Sequence, residues 1–205
     1  STSTALASGI PGTIAGIFEV HKKYGSLPIG EILKPVIALA ERGVIVTKYQ
    51  AASLNSNRET FIKRNGRNSL FSKVYKENDT IKYTALAATF KRIAANGREE
   101  FYSGETAQKL VAFLTKKGGN VTIEDFKKYQ AKWRTPITFQ YKKLKITSMS
   151  PPSSGGICLN QIMKMIEPFN LSQMGHNGLK TIHVIPEAER GAYADRNFYV
   201  GAPDF

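Results

Sequence analysis

Cysteine, tryptophan and histidine are scarce in this chain: among 205 residues there are one Cys, one Trp and three His. With Cys158 alone, no disulfide closes within the chain and no thiolate cluster holds a metal. Cys158 falls in GICLNQIMKMIEPF on an apolar helical face, with no basic residue close by to lower its pKa, so it reads as a buried, inert thiol. His21, His176 and His183 are far apart, and no pair has the i, i+4 spacing of a metalloprotease helix. His183 and Glu187 are four apart and can share a helix face, but one His and one Glu make a weak metal pattern. A single tryptophan, Trp133, gives no aromatic set for stacking sugars. Apolar runs fall far short of a membrane span. No basic segment followed by an apolar one opens the chain, so no export signal is visible in these residues.

Acidic residues are also in short supply, 16 against 29 Lys and Arg, which leaves a net charge of +13. Such a balance favours acidic partners. The cations are scattered, however, as short pairs at 22–23, 63–64, 116–117, 127–128 and 142–143. They read as solvated helix ends and turn tips rather than one nucleic-acid face. An apolar content of 41% and a charged content of 22% describe an ordinary globular protein. The length suffices for one full core or two small ones.

Periodicity predicts helices over much of the chain. The opening STSTALASG reads as a strand or frayed end. PGTIAGIFEVHKKYG carries Ile14, Ile17 and Phe18 at a 3.6-residue period and stops at Gly25. The following stretch has Ile32, Leu33, Val36, Ile37 and Ala40 in a stripe. Pro35 is expected to bend that helix or mark its first turn, and Gly43 to end it. Tyr49, Leu54 and Phe61 anchor a third helix between 44 and 68, followed by irregular structure with a short strand. TALAATFKRIAANG is the clearest helix, closed by Gly97, and another spans 105–116. Thr122 and Asp125 form a capping-box pattern. The period then changes to two: Ile137, Phe139 and Tyr141 alternate before Lys142-Lys143, then Leu144 and Ile146, as a tight hairpin or a bulged edge strand. Helices at 156–169 and 180–198 complete a mainly helical segment with a small β element near 137–147.

The junction SPPSSGG, between that β element and the next helix, is the one motif that invites a chemical reading. A Walker loop needs Lys and then Ser or Thr after its glycines, and Gly156 is followed by Ile157 and Cys158. A hydrolase elbow needs Gly-x-Ser-x-Gly, and Ser154 lacks the preceding glycine. The residues fit a rigid corner. Pro151 and Pro152 fix φ, Ser153 or Ser154 caps the helix, and Gly155 and Gly156 let backbone pack closely. Free amides at that helix start also suit an anion. Farther on, Glu187, Glu189, Arg190, Asp195 and Arg196 read as paired charges at a core edge. Glu187 and Asp195 are also spaced to face one way, as a glycosidase would need. No cofactor-binding or metal-binding pattern is found.

Several segments carry a resemblance. LASGIPGTIAGIFEVHKKYG (6–25), PVIALAERG (35–43), FYSGETA (101–107), GGNVTIEDFKKYQ (118–130), RTPI (134–137), PPSSGG (151–156) and EAERGAYADRNFYVGAPDF (187–205) resemble γ-glutamyltranspeptidases, in that family's order and spacing. The resemblance implies that the 205 residues are a single segment, the middle-to-late part of a large subunit, within an αββα N-terminal nucleophile hydrolase fold. It implies a precursor that cleaves itself and a small catalytic subunit as partner. A threonine nucleophile outside this chain would attack the γ-glutamyl amide of glutathione or a related small molecule. Cephalosporin or glutaryl acylases and polyglutamate capsule transferases are the alternatives within the superfamily; a non-enzymatic basic helical binding module is the alternative outside it. No residue here matches a catalytic position of the family. The resemblance places Ser1 upstream of the PG helix, well inside the large subunit, and implies that Thr13, Thr60 and Thr122 are not nucleophiles. Pro151, Pro152, Ser153, Ser154, Gly155 and Gly156 are expected to support the pocket without reacting. No nucleic acid is implied, no membrane span is present in the chain, and the family suggests a periplasmic or secreted enzyme. The sequence departs from the family at Ala202, where Asp is common, and at Cys158, Pro186 and Gly191.

Overall fold

A computed structural model describes residues 4–201. Ser1 and the segment containing Ala202 lie outside the described residues, with what was expected of them. The chain divides into two compact units, Ser1–Ala131 and Lys132–Phe205.

The first unit opens with a 3-10 turn, Ala5–Ala7, where a strand or frayed end was expected. Helices α1 (Thr13–Tyr24) and α2 (Ile29–Arg42) follow. Pro35 lies inside α2, which continues past it to Gly43. Gly43 takes φ +90, its N–H bonds to the Leu39 carbonyl at 2.8 Å, and a Cβ there would meet the Ile81 carbonyl at 2.7 Å. Only glycine supplies that turn and that approach together.

The chain then forms β1 (Val44–Ile45), α3 (Lys48–Ser56), α4 (Arg58–Asn65), a 3-10 turn at Leu70–Ser72 and β2 (Thr80–Ile81), which pairs antiparallel with β1. One helix was expected where α3 and α4 stand. Asn57 divides them, donating from Nδ2 to the Ser53 carbonyl at 2.9 Å, the local competition that makes Asn a poor helix-interior residue. Val46, Ala51, Tyr75 and Ile81 form a small core here.

Helices α5 (Thr84–Asn96), α6 (Arg98–Tyr102), α7 (Glu105–Lys116) and α8 (Ile123–Lys128) complete the unit. Ala15, Tyr102, Ala107 and Phe126 are its most buried cluster. Tyr102 ties the start of α1 to that core: its hydroxyl donates to the Pro11 carbonyl at 2.6 Å and accepts from the Ala15 N–H at 3.1 Å. Glu100, 6% exposed, accepts from Arg92 Nε at 2.8 Å and from the Thr106 N–H and hydroxyl at 3.1 and 2.8 Å. Burial alone would raise this carboxyl, but the hydrogen bonds from Arg92 and Thr106 outweigh it and hold the group below its ordinary value. The capping box on α8 is present, with Thr122 and Asp125 bonded reciprocally.

The second unit opens on a tight hairpin, β3 (Ile137–Tyr141) and β4 (Leu144–Ser148), in the register Ile137↔Ser148, Phe139↔Ile146, Tyr141↔Leu144. Lys142 turns it at φ 51, and its N–H bonds to Glu167 Oε1 at 2.8 Å. Then come α9 (Gly155–Ile166), α10 (Leu171–Met174) and α11 (Leu179–Tyr199). Pro186 and Gly191 both lie within α11. Ala188 and Ala192, one turn apart and buried, let α11 come close to α9, where Cys158 and Ile166 are buried. The basic pairs sit where charge costs little. His21 to Lys23, Lys63 and Arg64, and Lys127 and Lys128 fill last helical turns, at the negative end of the backbone dipole.

Candidate functional site

The corner expected to matter lies wholly in the second unit. After β4 the chain passes Met149 and Ser150, turns through a cis Pro151–Pro152 bond, and enters α9 at Gly155. Ser153 closes the turn with its N–H on the Ser150 carbonyl at 3.2 Å, and its hydroxyl accepts from the Gly155 N–H at 3.3 Å. Ser154 holds the N-cap position but makes no side-chain cap. Of the two serines expected to cap the helix, Ser153 is thus the one that bonds an N–H at its start. The Ser154 Oγ is taken instead by Arg196 of α11, whose Nε donates at 3.0 Å. Gly156 behaves as expected: a Cβ there would fall under 3.0 Å from the Met149 carbonyl oxygen. Gly155 has no such constraint, since its Cβ would meet Ser153 Oγ at 3.4 Å, ordinary contact.

Three links therefore join the corner and α9 to α11. Arg196 holds Ser154; Gln161 Nε2 donates to Asp195 Oδ2 at 2.8 Å; and Cys158 Sγ lies 4.0 Å from the Ala192 carbonyl. Cys158 is buried, as its place on the apolar face requires. Residues 192–196, the AYADR stretch, and residues 153–161, which begin with SSGG, are thus two halves of one assembly, 42 residues apart at the Arg196–Ser154 contact.

Beside the corner lies a cavity of about 590 Å³. Pro136, Met149 and Pro152 give it apolar surface, while Lys132, Arg134, Thr147, Ser148, Ser150 and Ser153 bring cationic and hydroxyl donors. Both cations also engage in further interactions of the chain. Donors of this kind receive carboxylates and phosphates. Spacing alone did not identify Lys132 and Arg134 as neighbours of the corner. The one signal is the RTPI segment, which precedes the hairpin whose return strand delivers Thr147 and Ser148 to the same place.

Other candidates do not converge. Glu187 is paired with Arg190, which holds its carboxyl below the ordinary range, with Arg190 and His183 charges adding to the effect. Asp195 accepts from Gln161, so each of the two carboxylates has its own partner. His21 contacts the Leu27 carbonyl at 2.7 Å. Among the described residues no three His, Cys, Asp or Glu side chains come together as metal ligands.

The family model for γ-glutamyltranspeptidase matches residues 1–205. The chain belongs to the γ-glutamyltranspeptidase family. It is 38% identical to the glutathione hydrolase proenzyme of Escherichia coli over its whole length and spans 36% of that relative. The crystal structure of Helicobacter pylori γ-glutamyltranspeptidase superposes on it with a TM-score of 0.93 at 40% identity, covering all of this chain and 60% of that one. The Bacillus anthracis transpeptidase CapD gives 0.84 at 29% identity, covering 94% of this chain and 67% of that one. Like the expected segment, the structure is mostly helical with small sheets.

Proposed function

We propose that these residues are a supporting part of the large subunit of an enzyme that hydrolyses or transfers the γ-glutamyl group of glutathione and related compounds. The observation that carries this reading is the match to the family model from the first residue to the last, with a coverage of 36% of the Escherichia coli proenzyme. In the proposed reaction a threonine Oγ, deprotonated by its own α-amine, bonds to the γ-carbonyl carbon. The C–N bond of the γ-glutamyl amide breaks, its nitrogen leaves with the proton that the α-amine took up, and water or an acceptor amine then takes the acyl group from the ester and returns a proton to Oγ. Only a threonine that opens a chain has the free α-amine for this step. Thr13, at the start of α1, and Thr122, which caps α8, are internal to the chain. As the family resemblance implies, the nucleophile is assigned to the small subunit, the partner of this segment.

Pro151 to Gly156 act in this reading as a rigid support. The corner is bound to α11 through Ser154 and Arg196, and Gly156 presses it against the end of β4. The helices form part of an αββα sandwich completed by other parts of the polypeptide. Export to the periplasm or beyond accords with the family. Among the described residues no helix is long and apolar enough to cross a membrane. The scattering of cations over separate helix ends speaks against a single nucleic-acid face.

A chromogenic γ-glutamyl anilide tests the proposal. The whole polypeptide is expected to release the aniline, and these 205 residues alone to release none. Turnover by the 205 residues, or failure of the processed whole protein to act on any γ-glutamyl amide, would contradict it.

A further inference from the structure

In the first unit, α1 and α2 each carry two apolar stripes. The inward ones are spent. Ala15 of α1 is buried with Tyr102 and Phe126, and α2 packs on α5 with Ala40 buried. The outward ones are Ile17, Val20 and Tyr24 on α1, at i, i+3, i+7, and Ile32, Val36 and Leu39 on α2, at i, i+4, i+7. All six side chains are between 41% and 67% exposed. A helix that meets solvent on its outer side carries polar residues there; one apolar on both sides is made to be covered twice. Between the two helices runs an open groove of about 560 Å³, lined in part by Gly16, Ile17, Val20 and Ile32. At Gly16 a Cβ would meet nothing within 4 Å, so the groove floor is free for an approaching backbone.

We infer that this groove is filled by an apolar helix of the same polypeptide, drawn from the part of the precursor outside these 205 residues. The inference rests on the reading that the chain is a segment of a longer enzyme. Two observations select this occupant over a second copy. Nearly two thirds of the matched Escherichia coli proenzyme lies beyond the region that this chain covers, so ample chain exists to supply it. The rim at the end of α1 is basic, with Lys22 and Lys23 in its last turn, on a chain of net charge +13. A second copy would bring the same charge against itself, whereas a segment with acidic residues beside its apolar stripe would complement the rim. A third helix fits because stripes repeating every three to four residues form ridges that another helix's ridges interleave.

The test uses the full-length polypeptide carrying Val20→Cys, with Ile32→Cys as an independent site in the groove and Lys63→Cys on α4 as an exposed reference. Maleimide labelling at each introduced thiol is followed at dilute protein, native and denatured. The thiols introduced on α1 and α2 are expected to react about 100-fold more slowly than the α4 reference in the native protein, and equally once it is unfolded. Native labelling as fast as that of the reference would overturn the inference. So would protection that vanishes on dilution, which would assign the groove to a second copy. Anilide turnover on the same samples separates the two claims. Turnover with a reactive thiol in the Val20→Cys variant sinks the groove assignment alone; protection without turnover sinks the enzymatic reading alone.

Discussion

Replacing Gly156 with Ala probes the corner at the place where geometry leaves least room. A Cβ on Gly156 would sit under 3.0 Å from the Met149 carbonyl oxygen and 3.3 Å from Ile137 Cδ1. The first of these is backbone, at the end of β4, and cannot swing aside as a side-chain tip would. Either α9 or the strand end must shift, the situation in which overpacking costs about 1–3 kcal/mol. Against this stands the helix propensity gained on replacing glycine, at most about 1 kcal/mol and less at the second residue of a helix. The net loss is about 1–2 kcal/mol, or roughly 5–15 °C in Tm for a unit of this size. Gly155→Ala is the control. Its Cβ would meet only Ser153 Oγ at 3.4 Å, so it gains the propensity without the collision and holds or raises Tm. Trp133 lies in the same unit, so thermal and urea unfolding followed by its fluorescence report on the right region. Equal stability of the two variants would refute the claim that Gly156 is required by close backbone packing.

The remaining predictions concern charges. Glu100 is held below its ordinary value of 4.5 in the folded chain, so between the folded and unfolded values the unfolded state binds more protons. Its contribution is complete above 4.5 and lost as pH falls through the lower folded value. Glu100→Gln is therefore expected to flatten the acid side of the Tm profile and to cost about 1.5–3 kcal/mol at neutral pH, the range for hydrogen bonds to a charged group. An unchanged acid slope would show that this carboxylate is not coupled to folding. Arg196→Ala and Ser154→Ala are each expected to lower the Tm of the second unit. The double variant should be less destabilised than the two single effects added, with a coupling of about 0.5–1.5 kcal/mol. Strict additivity would mean that the 3.0 Å bond contributes nothing.

Elements with long periodic stripes were legible in the chain itself. Helix α7 runs over 105–116 as expected, α1 and α2 end at glycines 25 and 43, and Thr122 with Asp125 makes the capping box that their spacing announces. The alternation at Ile137, Phe139 and Tyr141 left hairpin and bulged strand both open, and the pairing of Tyr141 with Leu144 decides for the hairpin. Features that no local pattern announces are short or remote. Helices α6 and α10 have five and four residues, too few for a period to show. Thr47 and Gln50 form a second capping box, whose Thr-x-x-Gln signal stands within a weak apolar pattern. The choice of Ser154 between its own helix and Arg196 depends on a helix 42 residues away, which no local pattern contains. The same holds for Lys132 and Arg134 beside the corner.

The central claim is that these residues hold an acyl-transfer site whose reacting atom is supplied from outside them. A γ-glutamyl-directed electrophile applied to the whole protein, followed by digestion and mass mapping, addresses it most directly. The account predicts one adduct, on an N-terminal threonine outside the 205 residues, with peptides from Thr13 to Arg196 unmodified. An adduct on Thr13, Thr60, Thr122, Cys158 or a serine of the Ser150–Ser154 corner would contradict it.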